Sequence, residues 1–267
     1  MLSDITIGQY FPGDSLLHRM DPRVKILLLF FFIVGIFVFD TAGSYAIFSL
    51  LSTGLFFFSG IPMRMMFRSV RPLLWIILFT FFIHLFSTPG EMLFKVWILD
   101  ATWEGLRQGC FISLRLILLI VLSSLLTFTT SPLKLTDALE RLLSPLKRIG
   151  IPAHELAMMM TIALRFIPTL IQETDKIMKA QQSRGSDFSA GNILQRVKRI
   201  VPILVPLFIS AFRRADELAM AMEARCYHGG EGRTQMKSLR VGSADVAACG
   251  ASLLLCALLV FLKWQNI

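Results

Sequence analysis

Seventeen of the chain's 27 lysines and arginines fall between Lys134 and Arg240, and long apolar runs lie on either side of that block. A lysine or arginine at the centre of a bilayer costs about 3 kcal/mol, so this partition separates what can cross a membrane from what cannot. The apolar runs are Val24 to Phe39, Ser44 to Ser59, Pro72 to Ser87, Gln108 to Thr130 and Ala244 to Leu262. Hydrophobic residues make up 55% of the 267, above the roughly 45–50% of soluble domains. The expected fold class is all-α: a polytopic membrane protein with about five transmembrane helices and a cytosolic helical coupling domain. The expected division is an N-terminal transmembrane bundle over 1–130, the coupling domain over 131–243 and a C-terminal transmembrane helix over 244–267.

Basic residues orient these spans. Arg19, Arg23 and Lys25 precede the first, and Arg64, Arg68 and Arg71 follow the second, whereas the turn Asp40 to Gly43 has none. The N-terminus and residues 131–243 are therefore expected inside the cell membrane and the C-terminus, after Lys263 and Trp264, outside. The first span is short, and a snorkelling Lys25 would extend it. Trp97 and Trp103, in the outer connection Thr88 to Arg107, suit an interfacial belt. The polar first 22 residues do not read as a cleavable leader. The net charge of +9 follows the topology and does not form a nucleic-acid surface.

Within the basic block, Ser131-Pro132 and Ser144-Pro145 read as N-caps followed by proline at the first helical position. Leu156 to Phe166 is apolar but is read as lying along the inner face, because Arg165 interrupts it and Pro168 bends the path. The run Pro168 to Arg184 has a thin stripe of Leu170, Thr174, Ile177 and Gln181. Pro202 and Pro206 are expected to break the helix before a second run, Leu207 to Arg225. On its helical wheel Leu207, Phe208, Ala211, Ala215, Leu218, Ala219 and Met222, with Phe212, share one arc, and Arg213, Arg214, Asp216, Glu217 and Glu223 are assigned to the other side. The alanine ridge at 211, 215 and 219 invites a close helix crossing.

Each run ends in an arginine tripeptide, Ser183-Arg184-Gly185 and Ala224-Arg225-Cys226. The residues alone leave two readings: ordinary chemistry of a helix C-terminus, or a pair of guanidinium forks offered to acidic or carbonyl-lined pockets of a partner. Arg115, inside the fourth span, is either a pathway residue or an arginine paired within the bundle. Catalytic signatures are missing. Gly229 to Thr234 lacks the order and lysine of a P-loop, and no GxSxG elbow occurs. His18, His84, His154 and His228 have no metal spacing, and the spans hold no paired carboxylates for proton coupling. Cys110, Cys226, Cys249 and Cys256 read as buried structural thiols. No site for a cofactor or metal is expected on this chain, which implies that any motor is another chain.

With Asp21-Pro22-Arg23-Val24-Lys25, the stretch Leu139 to Pro168 and the two tripeptides in view, the whole chain resembles the transmembrane T component of energy-coupling factor (ECF) transporters. This CbiQ-like family belongs to the ATP-binding-cassette importers of vitamins and trace metals. The resemblance implies a non-catalytic subunit of a vitamin importer, in which Arg184 and Arg225 dock into two cytosolic ATPase subunits that carry the ATP and Mg. It implies interchangeable membrane S components as further partners, since Gly232-Arg233-Thr234 looks most like the shared, multi-substrate group. Cys226 departs from the family's usual glycine. A T component dedicated to cobalt, nickel or biotin, or a stand-alone secondary transporter, are the alternatives.

Overall fold

The structure, a computed structural model, describes residues 10–96, 99–150, 152–186, 193–229 and 241–264. They fall into two compact units, one from 9–135 with 239–267 and one from 136–238. In chain order the helices are α1 (Leu16–Arg19), α2 (Pro22–Val38), α3 (Ala42–Ser59), α4 (Met63–Val70), α5 (Leu74–Ser87), α6 (Trp103–Thr129), α7 (Pro132–Leu143), α8 (Ala153–Ser183), α9 (Ile193–Glu223) and α10 (Ser243–Trp264). Between α5 and α6, β1 (Met92–Val96) pairs antiparallel with β2 (Leu99–Thr102), a short hairpin that was not expected. Trp97, expected in an interfacial belt, lies outside the described residues.

The first unit is the α2, α3, α5, α6 and α10 bundle. Its core joins Phe32 and Ile36 of α2, Tyr45 and Phe48 of α3, Leu118 and Leu122 of α6 and Leu259 of α10. A second cluster, with Phe56, Met66, Leu125 and Phe128, seals the end where α3, α4 and α6 meet. Gly105 and Gly109, one turn apart, let α6 approach α5 closely: a Cβ at Gly105 would stand 2.7 Å from the carbonyl oxygens of His84 and Leu85. Small residues four apart are the usual device for such crossings in membranes.

The motif Asp21 to Lys25 acquires a physical role in this unit. Asp21 caps α2, its carboxylate accepting from Arg23 N at 2.9 Å, and Pro22 takes the position where no N–H is needed. The Arg23 guanidinium also bonds the Asp21 carboxylate at 2.7 Å and holds its pKa below the usual carboxylate range. Asp21 N in turn donates to Asp245 Oδ1 of α10 at 2.9 Å, tying the first long helix to the last. Lys25 does not snorkel. It is 8% exposed, and Nζ donates to Thr129 O at 3.1 Å and Thr130 Oγ1 at 3.2 Å, answering a carbonyl left over at the end of α6. Arg115 proves to be paired: its guanidinium bonds Asp40 and the Tyr45 hydroxyl and lies 5.2 Å from the Phe37 ring centre.

Several expectations change. Among the described residues, five stretches are long and apolar enough to cross a membrane: Ala42–Ser59, Met63–Ser87, Trp103–Thr129, Ala153–Ser183 and Ser243–Phe261. Four match expected spans. The fifth is α8, because Pro168 sits inside a continuous helix of 31 residues, while α2, with 17, falls short of that length. A proline removes one N–H of the ladder, and the turns on either side keep theirs. The same holds in α9, which runs unbroken through Pro202 and Pro206. The stretch after the second expected span that carries Arg64 and Arg68 is helical as α4, continuing through a 3₁₀ turn that begins at Arg71 into α5. Ser131 precedes α7 as expected, but Ser144-Pro145 opens a 3₁₀ turn whose cap is Leu143. The cysteines are free, and Cys110, Cys226 and Cys249 are exposed. An apolar sequence neighbourhood in a span marks a lipid-facing side chain as readily as a buried one.

Candidate coupling helices and their arginine ends

The helices α8 and α9 pack against each other within the second unit. On α9 the covered face comprises buried Ile203 and half-buried Leu207, Ser210, Ala211, Arg214, Leu218 and Met222. On α8 the half-buried residues include the expected stripe Leu170, Thr174, Ile177 and Gln181, with Glu173 beside it. Glu173 is the polar link of the pair: it accepts from the Ser210 hydroxyl and from Arg214 Nη2 at 3.2 Å. Arg214 was assigned to the polar side. Seven residues, about two turns, after Leu207 it returns to the packed side, where its stem is covered and its head reaches Glu173.

The predicted arc therefore divides. Leu207, Ala211, Leu218 and Met222 are half-buried, whereas Phe208 is 60% and Phe212 68% exposed, and Ala215 and Ala219 are also exposed. Val201, Val205, Ile209 and Met220 add to the exposed apolar surface of α9. The alanine ridge is thus used against α8 only at Ala211. Its other two members and the two phenylalanines form an apolar face that the described residues of this unit do not cover.

Both arginine tripeptides adopt the same backbone. At the end of α8, Gly185 N donates to Gln182 O at 2.9 Å and Ser186 N to Gln181 O at 3.0 Å. At the end of α9, Cys226 N donates to Glu223 O at 2.9 Å and Tyr227 N to Met222 O at 3.1 Å. This paired closure is the Schellman motif, which needs a left-handed residue at its turn. Gly185 has φ +88° and Cys226 φ +56°, so the left-handed turn survives the replacement of glycine by cysteine. Ser183 is the last residue of α8 and Ala224 the first beyond α9, and each precedes its arginine in the same hydrogen-bond pattern; Arg184 and Arg225 are exposed, and among the described residues their guanidinium groups meet no acceptor. The two guanidinium groups are presented from equivalent backbone positions.

One arrangement escaped the sequence. His154 Nδ1 lies 2.8 Å from Glu140 Oε1 of α7, and its Nε2 lies 3.4 Å from the Tyr227 hydroxyl. Tyr227 is the residue whose N–H closes the second cap, so the Arg225 end is tethered to the start of α8. Spacings of 14 and 73 residues carry no periodic signal that would have revealed it. His18 and His228 are likewise engaged, with Phe11 O and Cys226 O. The glycine-rich residues Gly230 to Thr234 and residues 187–192 lie outside the described residues. No group of three metal-binding side chains occurs among the described residues.

Comparison with known proteins gives a consistent result. The profile of the CbiQ family, described as a cobalt transport protein, matches residues 13–236. The chain is similar to the energy-coupling factor transporter transmembrane protein EcfT of Thermosediminibacter oceani, 59% identical over 92% of this chain and 93% of that one. It is 57% identical to that of Acidaminococcus fermentans over 99% and 98% of the two chains, and 48% identical to that of Bacillus subtilis over 98% and 100%. A bundle of apolar helices joined to an arginine-ended helical pair, matched along nearly its whole length, belongs to the CbiQ family of transporter transmembrane components.

Proposed function

We propose that this chain links ATP hydrolysis by two cytosolic ATPase subunits to substrate release by a membrane S component in vitamin uptake, and that it serves several S components in turn. The observation that carries this reading is the pair of matched caps, which offers Arg184 and Arg225 in one backbone geometry. Two like subunits of an ATPase dimer would present two like grooves, and guanidinium forks suit carboxylate or carbonyl linings. ATP and Mg act on those subunits, and this chain binds neither. The uncovered apolar half of α9, with Phe208, Phe212, Ala215 and Ala219, supports a moving contact with the S component. Helices meeting on small residues can slide without opening cavities.

The proposed placement puts the N-terminus and residues 131–243 in the cytosol and the C-terminus outside. It keeps α8 on the cytosolic side despite its length, since its second half carries Glu173, Asp175, Lys176 and Lys179. The description of the family as a cobalt transport protein favours a second reading, a T component dedicated to cobalt, nickel or biotin. Uptake tested with several S components in one host separates the two.

The deciding experiment co-expresses the chain with the ATPase pair of its own source and compares it with the double variant Arg184→Ala/Arg225→Ala. Recovery of a complex with the wild type, and its loss in a double variant that still inserts in the membrane, is the expected result. Equal recovery from both would overturn the docking role of the arginines.

A further inference from the structure

Within the first unit, α2, α3, α6 and α10 enclose a cavity of about 280 Å³. Its wall is almost entirely hydrocarbon, with Leu28, Phe32, Leu55, Leu122 and Leu255 among the lining residues, and Lys25 is its one charged member. From Lys25 to Phe32 the lining runs about 10 Å along α2. The space is only partly closed, and Ala251 of α10, one of its lining residues, is exposed.

The state of Lys25 says what the cavity lacks. Two of its three N–H donors are taken, by Thr129 O and Thr130 Oγ1, and the third has no acceptor among the described residues. The two nearby carboxylates are committed elsewhere: Asp21 to Arg23, and Asp245 to the backbone N–H groups of Asp21 and Gly242. Asp21 and Asp245 favour the Lys25 charge from a distance, while Lys134 opposes it; a buried ammonium bonded to no anion and short of one acceptor is costly. Water answers that need poorly here, because a space with hydrocarbon walls and few polar partners stays dry. An amphiphile answers both features, its tail filling the apolar length and its anion meeting the cation.

We propose that the cavity is a lipid site, holding one acyl chain of an anionic phospholipid whose phosphate accepts the third N–H of Lys25. Basic pockets between transmembrane helices bind such head groups by the same chemistry, and the partly open cavity gives the lipid its way in.

The test uses the full chain purified in detergent, with bound lipid extracted and quantified by mass spectrometry. The wild type is expected to retain about one phosphatidylglycerol per chain. Ala248→Leu, which fills the cavity from α10, is expected to lower that about tenfold without lowering the melting temperature. Ala251→Leu on the same wall replaces it if that variant does not assemble. Lys25→Gln, which keeps a donor but no charge, is expected to retain lipid and lose about tenfold of the preference for phosphatidylglycerol over phosphatidylcholine when the chain is equilibrated with vesicles of both. Equal retention by the wild type and the filled variants, recovery of free fatty acid in place of phospholipid, or an unchanged preference in Lys25→Gln would each overturn the proposal.

Discussion

The ion pairs of the bundle and the two arginines that end α8 and α9 are placed in opposite ways. In the bundle, Arg115 meets Asp40 and Tyr45, Asp21 meets Arg23, and Asp245 meets two backbone N–H groups. In the pair, Arg184 and Arg225 stand exposed at the helix ends, beside an apolar face that includes Phe208 and Phe212. Groups satisfied inside the chain serve its folding, and groups left open are available to another molecule. Substitutions in the bundle are therefore expected to cost stability, and those at the ends of the pair to cost association.

The largest test is Arg115→Ala. It removes a charged donor from the Tyr45 hydroxyl, which is 2% exposed as a residue, and the stacking over Phe37. A loss of about 2 kcal/mol is expected, read as a lower melting temperature in detergent, with ATPase capture per folded chain unchanged. The reverse pattern, normal melting and lost capture, would erase the distinction between the two regions.

His154→Ala comes next, at about 1 kcal/mol. It releases the tether that joins Glu140 and Tyr227 to the second cap, and its effect should appear as roughly fivefold weaker capture that is absent when Arg225 is already alanine. Additive losses in the double variant would show that His154 does not act through the Arg225 end.

How far these features could be read from the sequence depends on their range. Four of the five expected spans and the stripe Leu170, Thr174, Ile177, Gln181 were legible because hydropathy and a 3.6-residue period are local properties. Pro168, Pro202 and Pro206 misled because a proline's cost is local too: it deletes one ladder bond, about 3 kcal/mol, which tertiary packing of a long helix outweighs. The arc on α9 was right in composition and wrong in use, since a wheel shows which residues share a side and says nothing of which part of it a neighbour covers. Lys25 was read as snorkelling and Glu173 carried no signal of its own, because their partners lie 104 and 37 residues away. The arginine tripeptides were visible as a repeat, but the matching closure of the two caps was hidden by Cys226, where glycine would have announced it.

That cysteine supplies a prediction of opposite sign. A non-glycine residue in the left-handed region costs about 1 kcal/mol, so Cys226→Gly should protect the amides of the last turn of α9 against exchange about fivefold better, leaving the Arg184 end unchanged. Gly185→Ala should do the reverse at α8. No change in either variant would mean that the caps are held by something other than their own backbone geometry.

The smallest effect contrasts two carboxylates as pH falls. The Asp21 pKa is lowered, chiefly by the hydrogen bond from Arg23, so the folded state binds this proton less tightly than the unfolded one. Its stabilisation is complete above the ordinary carboxylate value of about 4 and is lost only as pH drops through the lower folded value. Asp137 of α7 is shifted upward, by burial first and by Glu140 second. There the folded state binds the proton more tightly, and stability declines as pH rises from the ordinary value through the raised one. Amide exchange, corrected for its intrinsic pH dependence, should therefore show protection at the start of α2 constant from neutrality to about pH 4, while protection around Asp137 increases over the acid end of that range. Asp137→Asn should abolish the increase and leave α2 untouched. A parallel response at both sites would mean that the two carboxylates share one environment, and the contrast between Asp21, held by Arg23, and Asp137, shifted chiefly by burial, would not extend to their titration.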